Sequence, residues 1–117
     1  MVLDFAVNAE SIKDVPVVRV KGEIDIYTCP QLNKSLKEAL EKGKKVIVLN
    51  LEHVQYIDST GLGTIAHSAH ALSKLGGKIH VVCTKPQVKK IFDVSGLSRK
   101  NINLYDEESG ALNAVNG

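Results

Sequence analysis

The apolar positions of the chain form two patterns, short extended runs and longer stretches with helical spacing. The extended runs predict strands, and stretches in which apolar residues recur every three or four positions predict helices. The predicted strands cover residues 3–7, 15–22, 45–51, 78–83 and 101–105. The predicted helices cover residues 28–43, 60–75 and 84–96, and a last helix follows Asp106. The predicted order is therefore β-β-α-β-α-β-α-β-α.

This order predicts one α/β domain over residues 1–117. Strands that alternate with helices of roughly 10 to 15 residues are typical of right-handed crossovers and a parallel sheet. The first two strands are joined only by the short polar segment 8–14, so we expect them to pair antiparallel. The fold class is a mixed, mostly parallel β-sheet built from βα units.

The predicted helix starts carry N-terminal signals. Thr28 with Gln31 and Thr84 with Gln87 match the capping box, and a proline stands in the first turn of each helix. These positions predict side-chain caps on the first and third helices.

Composition narrows the class of protein. The chain has 117 residues, is 44% hydrophobic and 24% charged, and carries a net charge of +2 with acids and bases interleaved. The lack of a basic cluster and of Trp argues against direct nucleic-acid binding. No apolar run approaches the ~18 residues of a membrane helix, and charged residues within the first 20 positions argue against a signal peptide. We expect a cytoplasmic protein without membrane attachment, with Cys29 and Cys83 as buried free thiols.

Two segments with unusual polar content follow predicted parallel strands. GEIDIYT (residues 22–28) follows the second strand, and EHVQYIDSTGLG (residues 52–63) follows the third. The carboxyl ends of parallel strands lie at one edge of a sheet, where ligands and partners commonly bind. We therefore expect Asp25, Asp58 and Ser59 to be neighbours.

The hydroxyl-rich segment around Ser59 admits several explanations. A nucleophile elbow has glycine two residues before its serine, and Ile57 stands there in this chain. A phosphate-binding loop needs a lysine after its last glycine, and none follows Gly63. His67 and His70 supply only two metal ligands. Enzyme and metal sites are thus disfavoured, and a simple helix cap by Asp58 or Ser59 remains open.

Features beyond a cap favour a functional surface. One capping residue suffices, yet three adjacent residues have hydroxyl or carboxylate side chains, and an interior glycine such as Gly63 weakens a helix by ~1 kcal/mol relative to alanine. At about 100° per residue, one side of the helix carries Gly63, His67, His70 and Lys74. This stripe suits either a protein-binding surface or a solvated helix face.

GEID, VIVLNL and YIDSTGLG (residues 22–25, 46–51 and 56–63) resemble the anti-sigma factor antagonists of the STAS domain family. The length and the element order agree with that family over essentially the whole chain. The resemblance implies that Ser59 is phosphorylated by an anti-sigma factor that is an ATP-dependent serine kinase. The unphosphorylated antagonist would bind this partner and free the sigma factor, and a serine phosphatase would restore the antagonist. Asp25 matches the acidic position of the family's first loop.

The expected protein is therefore a non-enzymatic regulator, monomeric when free, that needs no metal or cofactor. Helix geometry and the resemblance together predict a partner-binding surface at Asp25, Asp58, Ser59, Thr60, Gly61, Gly63 and His67. Two alternatives stay open. One is a STAS scaffold protein in a sensory or membrane-associated complex, and the other is a small serine hydrolase or nucleotide-binding enzyme.

Overall fold

The computed structural model describes residues 4–97 and 100–116, and its elements follow the predicted order. The strands are β1 Ala6–Ile12, β2 Val15–Ile24, β3 Val46–Ile57, β4 Lys78–Val82 and β5 Ile102–Tyr105. The helices are α1 Cys29–Glu41, α2 Ser59–Ser73, α3 Pro86–Ser95 and α4 Glu108–Asn116. No helix in the described ranges has the length and apolar content needed to cross a membrane.

The strands form one five-stranded mixed sheet in the order β1-β2-β3-β4-β5. Strands β1 and β2 pair antiparallel, and every other neighbouring pair is parallel. The predicted fold class and the predicted antiparallel start are both confirmed. Each parallel strand lies directly beside the strand before it, so every crossover spans one helix.

The two faces of the sheet are covered by different helices. Leu36 of α1, Ile65 of α2 and Phe92 of α3 belong to the larger core cluster, against one face of the strands. Ala111 of α4 belongs to a smaller cluster on the other face, with Val15, Val17, Val48 and Val82 of the strands. Burial of each large aliphatic or aromatic side chain stabilises the fold by about 1.5–3 kcal/mol.

Among the described residues, the first strand begins and ends later than predicted, and Leu3 of the predicted strand lies outside the described residues. It covers Ala6–Ile12, and residues 8–12 of the predicted link belong to it. Lys13 and Asp14 have φ of 51° and 68° and join Ile12 to its partner Val15 as a two-residue hairpin turn. Two successive positive φ values are typical of the type I′ turn that matches strand twist. The prediction was wrong because this edge strand exposes four consecutive residues and so lacks a hydrophobic signal.

Strand β3 is longer than predicted and reaches Ile57, so half of the predicted segment 52–63, residues 52–57, is strand. Its pairing with β2 continues to Glu23↔Tyr56 and Ile24↔Ile57, with register irregularities along the way. Such bulges give the buried residues Leu51, Val54 and Ile57 a spacing of three, which hides the strand's alternation. Strand β4 pairs with β3 only as far as Asn50↔Val82. Beyond that point, among the described strands, residues 54–57 of β3 pair only with residues 22–24 of β2.

Neither predicted capping box forms. Thr28 precedes α1, but its side chain makes no capping hydrogen bond. Its hydroxyl instead donates to the Glu23 carbonyl at 2.8 Å. The cap position of α3 is Lys85, one residue after the predicted Thr84, and it also makes no side-chain capping hydrogen bond. The two prolines do lie in the first turns, as predicted.

Both cysteines are buried and free, as predicted. Burial raises the pKa of the Cys83 thiol to about 11, which keeps this thiol protonated at neutral pH.

Candidate partner-binding site at the start of helix α2

The carboxyl ends of β2 and β3 bring the two predicted segments together. Ile24 and Ile57 are register partners at the ends of the two strands. The backbone N–H of Asp58 then donates to the Ile24 carbonyl at 3.0 Å. The turn that starts at Asp25 therefore lies beside the turn at Asp58 and Ser59, as the parallel topology predicted.

Asp58 is the cap of helix α2. It is extended, and its carboxylate accepts a hydrogen bond from the Gly61 N–H at 2.9 Å. Ser59 and Thr60 follow as the first helical residues, and both are exposed. Because the Asp58 carboxylate already provides the side-chain cap, the hydroxyls of Ser59 and Thr60 are not needed for this role.

Asp25 organises the neighbouring turn. One of its carboxylate oxygens accepts hydrogen bonds from the backbone N–H groups of Tyr27 at 2.9 Å and Thr28 at 3.0 Å. The Thr28 hydroxyl also accepts from the Asp25 N–H at 2.9 Å. These local hydrogen bonds explain why an aspartate stands at this position, because its short side chain can accept from backbone N–H groups two and three residues later and so stabilise a turn.

The Asp25 turn holds two large apolar side chains in solvent. Ile26 is 62% exposed and Tyr27 is 89% exposed. Neither residue was predicted as part of the site, although their position in a loop, outside any apolar periodicity, was a usable signal. Exposed aromatic side chains on rigid turns are typical anchors of protein–protein interfaces.

The two glycines of the motif have different surroundings. A Cβ on Gly61 would lie 2.4 Å from Ile24 Cγ2 and 3.1 Å from Ile57 Cγ1, so glycine is needed for α2 to approach the strand ends. A Cβ on Gly63 would meet nothing within 4 Å. Gly61 is buried and supports the surface from beneath, whereas Gly63 lies on the surface itself.

The predicted stripe along α2 is exposed throughout, at Gly63, His67, His70 and Lys74. Towards α1, this side of the helix borders a shallow open depression. Its lining residues are Cys29, Pro30, Asn33, Thr60, Gly63, Thr64 and His67. The depression starts one residue after Ser59 and gives a second protein room to approach the hydroxyls along the helix.

The buried side of α2 differs in detail from the prediction. Ile65, Ala69 and Leu72 are buried as predicted. Leu62 and Ala66 are only half-buried, and Gly61 and Ser68 are buried in addition. The helix therefore turns the side chain of Leu62 partly towards solvent.

Ionisable side chains do not gather into a metal site here. Within residues 4–97 and 100–116, no three His, Cys, Asp or Glu side chains are grouped so as to hold a metal ion. His67 and His70 both lie on the exposed side of α2. The chemistry that this edge offers is a free hydroxyl at a helix start among surfaces suited to a protein partner.

The chain and its structure are similar to several proteins described as anti-sigma factor antagonists. The chain is 32% identical over 111 residues to the anti-sigma F factor antagonist of Paenibacillus polymyxa, covering 94% of each. The structure matches that of an anti-sigma factor antagonist from Mycobacterium paratuberculosis with a TM-score of 0.88 and 29% identity, covering 97% of this chain and 96% of the other. It also matches the Bacillus cell fate determinant SpoIIAA in its phosphorylated form, with a TM-score of 0.74 and 25% identity, over 94% and 99% of the two chains.

A family model of the STAS domain matches residues 6–111, which include all five strands and the first three helices. The match also contains both turns of the candidate site. The chain belongs to the STAS domain family.

Proposed function

We propose that this protein is an anti-sigma factor antagonist whose binding to an anti-sigma factor is switched off by phosphorylation of Ser59. The observation that carries the proposal is the exposed Ser59 hydroxyl at a helix start that Asp58 already caps. The similar proteins described as anti-sigma factor antagonists, and the phosphorylated form of SpoIIAA, support it.

A phosphate on Ser59 is compatible with the fold. Phosphoserine carries a charge of about −1.5 to −2 at neutral pH. The first turn of α2 contains no acidic residue, and the free N–H groups and dipole of a helix start favour an anion. The modified protein therefore stays folded, and the effect of the phosphate falls on binding.

The surface around Ser59 suits a protein partner. Thr60, Gly63 and His67 continue the exposed surface along α2, and Ile26 and Tyr27 project from the adjacent turn. Asp25 and Asp58 already bring negative charge to this edge. A phosphate there adds bulk and charge where the partner must approach, and like charges brought together across an interface cost several kcal/mol.

In this proposal the anti-sigma factor is both the binding partner and the kinase. It transfers the γ-phosphoryl group of ATP to the Ser59 hydroxyl, and ADP leaves. The unphosphorylated antagonist binds the anti-sigma factor and releases the sigma factor, and a serine phosphatase hydrolyses the phosphoserine to restore the antagonist. The chain itself performs no catalysis.

The test is phosphorylation by candidate anti-sigma factors with ATP, followed by mass-spectrometric mapping of the phosphate. We expect phosphate on Ser59 in the wild type, none on Ser59→Ala, and phosphate again on Ser59 in the matched control Thr60→Ala. Phosphate mainly on Thr60 would place the switch one residue later. A chain that no anti-sigma kinase binds or modifies would favour a STAS scaffold protein instead.

A further inference from the structure

An apolar groove lies between α2 and α3, and we call it the α2–α3 groove. Its lining residues are Leu62, Gln87, Lys90, Ile91, Val94 and Ser95. Leu62 and Ile91 are half-buried and pack against the main core, and Val94 is 78% exposed. The exposed valine and the half-buried leucine and isoleucine form an apolar surface that an apolar partner segment can cover.

The groove begins at the edge of the sheet that carries Ser59. Leu62 is one helical turn beyond Ser59, and α3 starts at this edge because it follows the carboxyl end of β4. Gly63 faces the depression beside α1, whereas Leu62 faces α3. A protein seated on Ser59 therefore meets a shallow depression on one side of α2 and an apolar groove on the other.

The charges at the groove indicate what can occupy it. Its lining contains one cation, Lys90, and no carboxylate. The neighbouring Lys89 is already paired with Asp106 at 2.8 Å. A second copy packed symmetrically on the groove would bring two Lys90 side chains together, which disfavours self-association through this face. A segment with apolar residues and an adjacent acid is complementary.

We propose that the α2–α3 groove receives an apolar helical segment of the anti-sigma factor, with an acidic residue of that segment opposite Lys90. This inference rests on the proposed function and extends its docking surface from Ser59 across α2 to Val94. An amphipathic helix in a hydrophobic groove is a common mode of recognition. The groove then supplies affinity, and the Ser59 turn supplies the switch.

The test compares Val94→Glu with Leu75→Glu as the matched control. Both are exposed aliphatic positions, at 78% and 51%, but Leu75 lies beyond the C-terminal end of α2 and outside the groove. Dissociation constants are measured by calorimetry against the anti-sigma kinase that phosphorylates Ser59, with a melting curve for each variant. We expect Val94→Glu to weaken binding at least about tenfold and Leu75→Glu to leave it unchanged.

Wild-type affinity in Val94→Glu overturns the groove proposal, while Ser59-dependent phosphorylation would still support the proposed function. A wild-type chain that binds no anti-sigma factor overturns both. If Val94→Glu unfolds, Val94→Cys decides the matter, because both native cysteines are buried. Maleimide labelling at position 94 should slow in the complex, and an unchanged labelling rate contradicts the proposal.

Discussion

Helices α2 and α4 both start at an acidic side chain, but the two acids are used differently. Asp58 caps its own helix through Gly61 and leaves Ser59 open to solvent. Glu108 reaches away from its helix, and its two oxygens accept from Arg19 Nε at 2.8 Å and Nη2 at 2.9 Å. The Asp58 carboxylate stabilises the first turn of its own helix, whereas the Glu108 carboxylate connects α4 to the sheet. A helix start whose cap is satisfied within its own turn keeps its surface available for a partner.

The network around Glu108 fixes α4 on its face of the sheet. Glu108 also accepts from Asn50 at 2.9 Å, and Arg19 has a second acidic partner in Glu10. The hydrogen bond from Arg19, above all, lowers the pKa of Glu108. Among the described residues, no buried side-chain polar atom lacks a hydrogen-bond partner. The α4 face therefore contributes to stability, and the Ser59 edge is the better candidate for binding.

The largest effect is expected for Ser59→Asp, which tests whether the Ser59 edge is needed for binding and not for stability. We expect it to weaken binding to the anti-sigma factor about a hundredfold, because a fixed negative charge enters the docking surface. The free energy of unfolding should stay within about 1 kcal/mol of wild type, since an acid at a helix start is tolerated. Calorimetric titration and urea unfolding measure the two effects. A variant that unfolds would show that Ser59 is structural.

The two glycines of α2 sharpen the comparison within the site. Gly63→Gln should block partner binding and leave stability unchanged or slightly higher, because its position is open and glycine is a poor helix former. Gly61→Ala should cost about 1–3 kcal/mol of stability, because the new methyl group would collide with Ile24.

Paired melting curves and binding isotherms separate these outcomes. Undiminished affinity of Gly63→Gln would centre the partner surface on the Asp25 turn. Wild-type stability of Gly61→Ala would mean that the contact with Ile24 relaxes without cost.

On the α4 face, Glu108→Gln should lower the free energy of unfolding by about 1–2 kcal/mol. The reason is that the partly exposed Arg19 and Glu108 side chains lose their charge-assisted hydrogen bonds. Affinity for the anti-sigma factor should not change. Urea unfolding and the same binding assay test this expectation. Weakened binding without loss of stability would contradict the division of roles between the two regions.

The smallest expected effect is a pH dependence that comes from His80. Burial, helped by the positive charge of Lys78, lowers the pKa of this imidazole, which lies 2.8 Å from the Tyr105 hydroxyl. Because the unfolded chain has the higher histidine pKa of about 6.5, it binds the proton more tightly. Stability present above that pH should therefore fall as the pH drops below it.

His80→Gln should show a shallower fall in stability between pH 7.5 and pH 5.5, whatever its stability at neutral pH. Urea unfolding of both proteins across this range measures the difference. Parallel pH profiles would assign the acid sensitivity to other groups.

Apolar patterns were enough to predict the type and order of the elements, because each helix buries one side against the sheet and the central strands are buried on both faces. They failed where burial is weak or bulges interrupt alternation, as in β1 and in residues 52–57 of β3. The first capping box failed for another reason, which is that the Thr28 hydroxyl donates to the carbonyl of Glu23 instead.

The turn motif likewise predicted where the candidate site lies but not how each residue is used. Parallel topology was sufficient to place Asp25 near Asp58. The exposure of Tyr27 depends on a specific turn, and the pairing of Arg19 with Glu108 joins residues 89 positions apart. Local patterns carry no signal for contacts of that range.

The sequential order of the strands has a consequence for synthesis of the chain. Because every strand lies beside the one made just before it, the sheet can grow in the order in which the chain leaves the ribosome. The Ser59 turn requires only β2, β3 and α2, which are complete by Ser73. Arg19 must wait for Glu108 near the other end of the chain. On a translating ribosome, the residues of the Ser59 turn are thus available for folding before the contact that fixes the last helix.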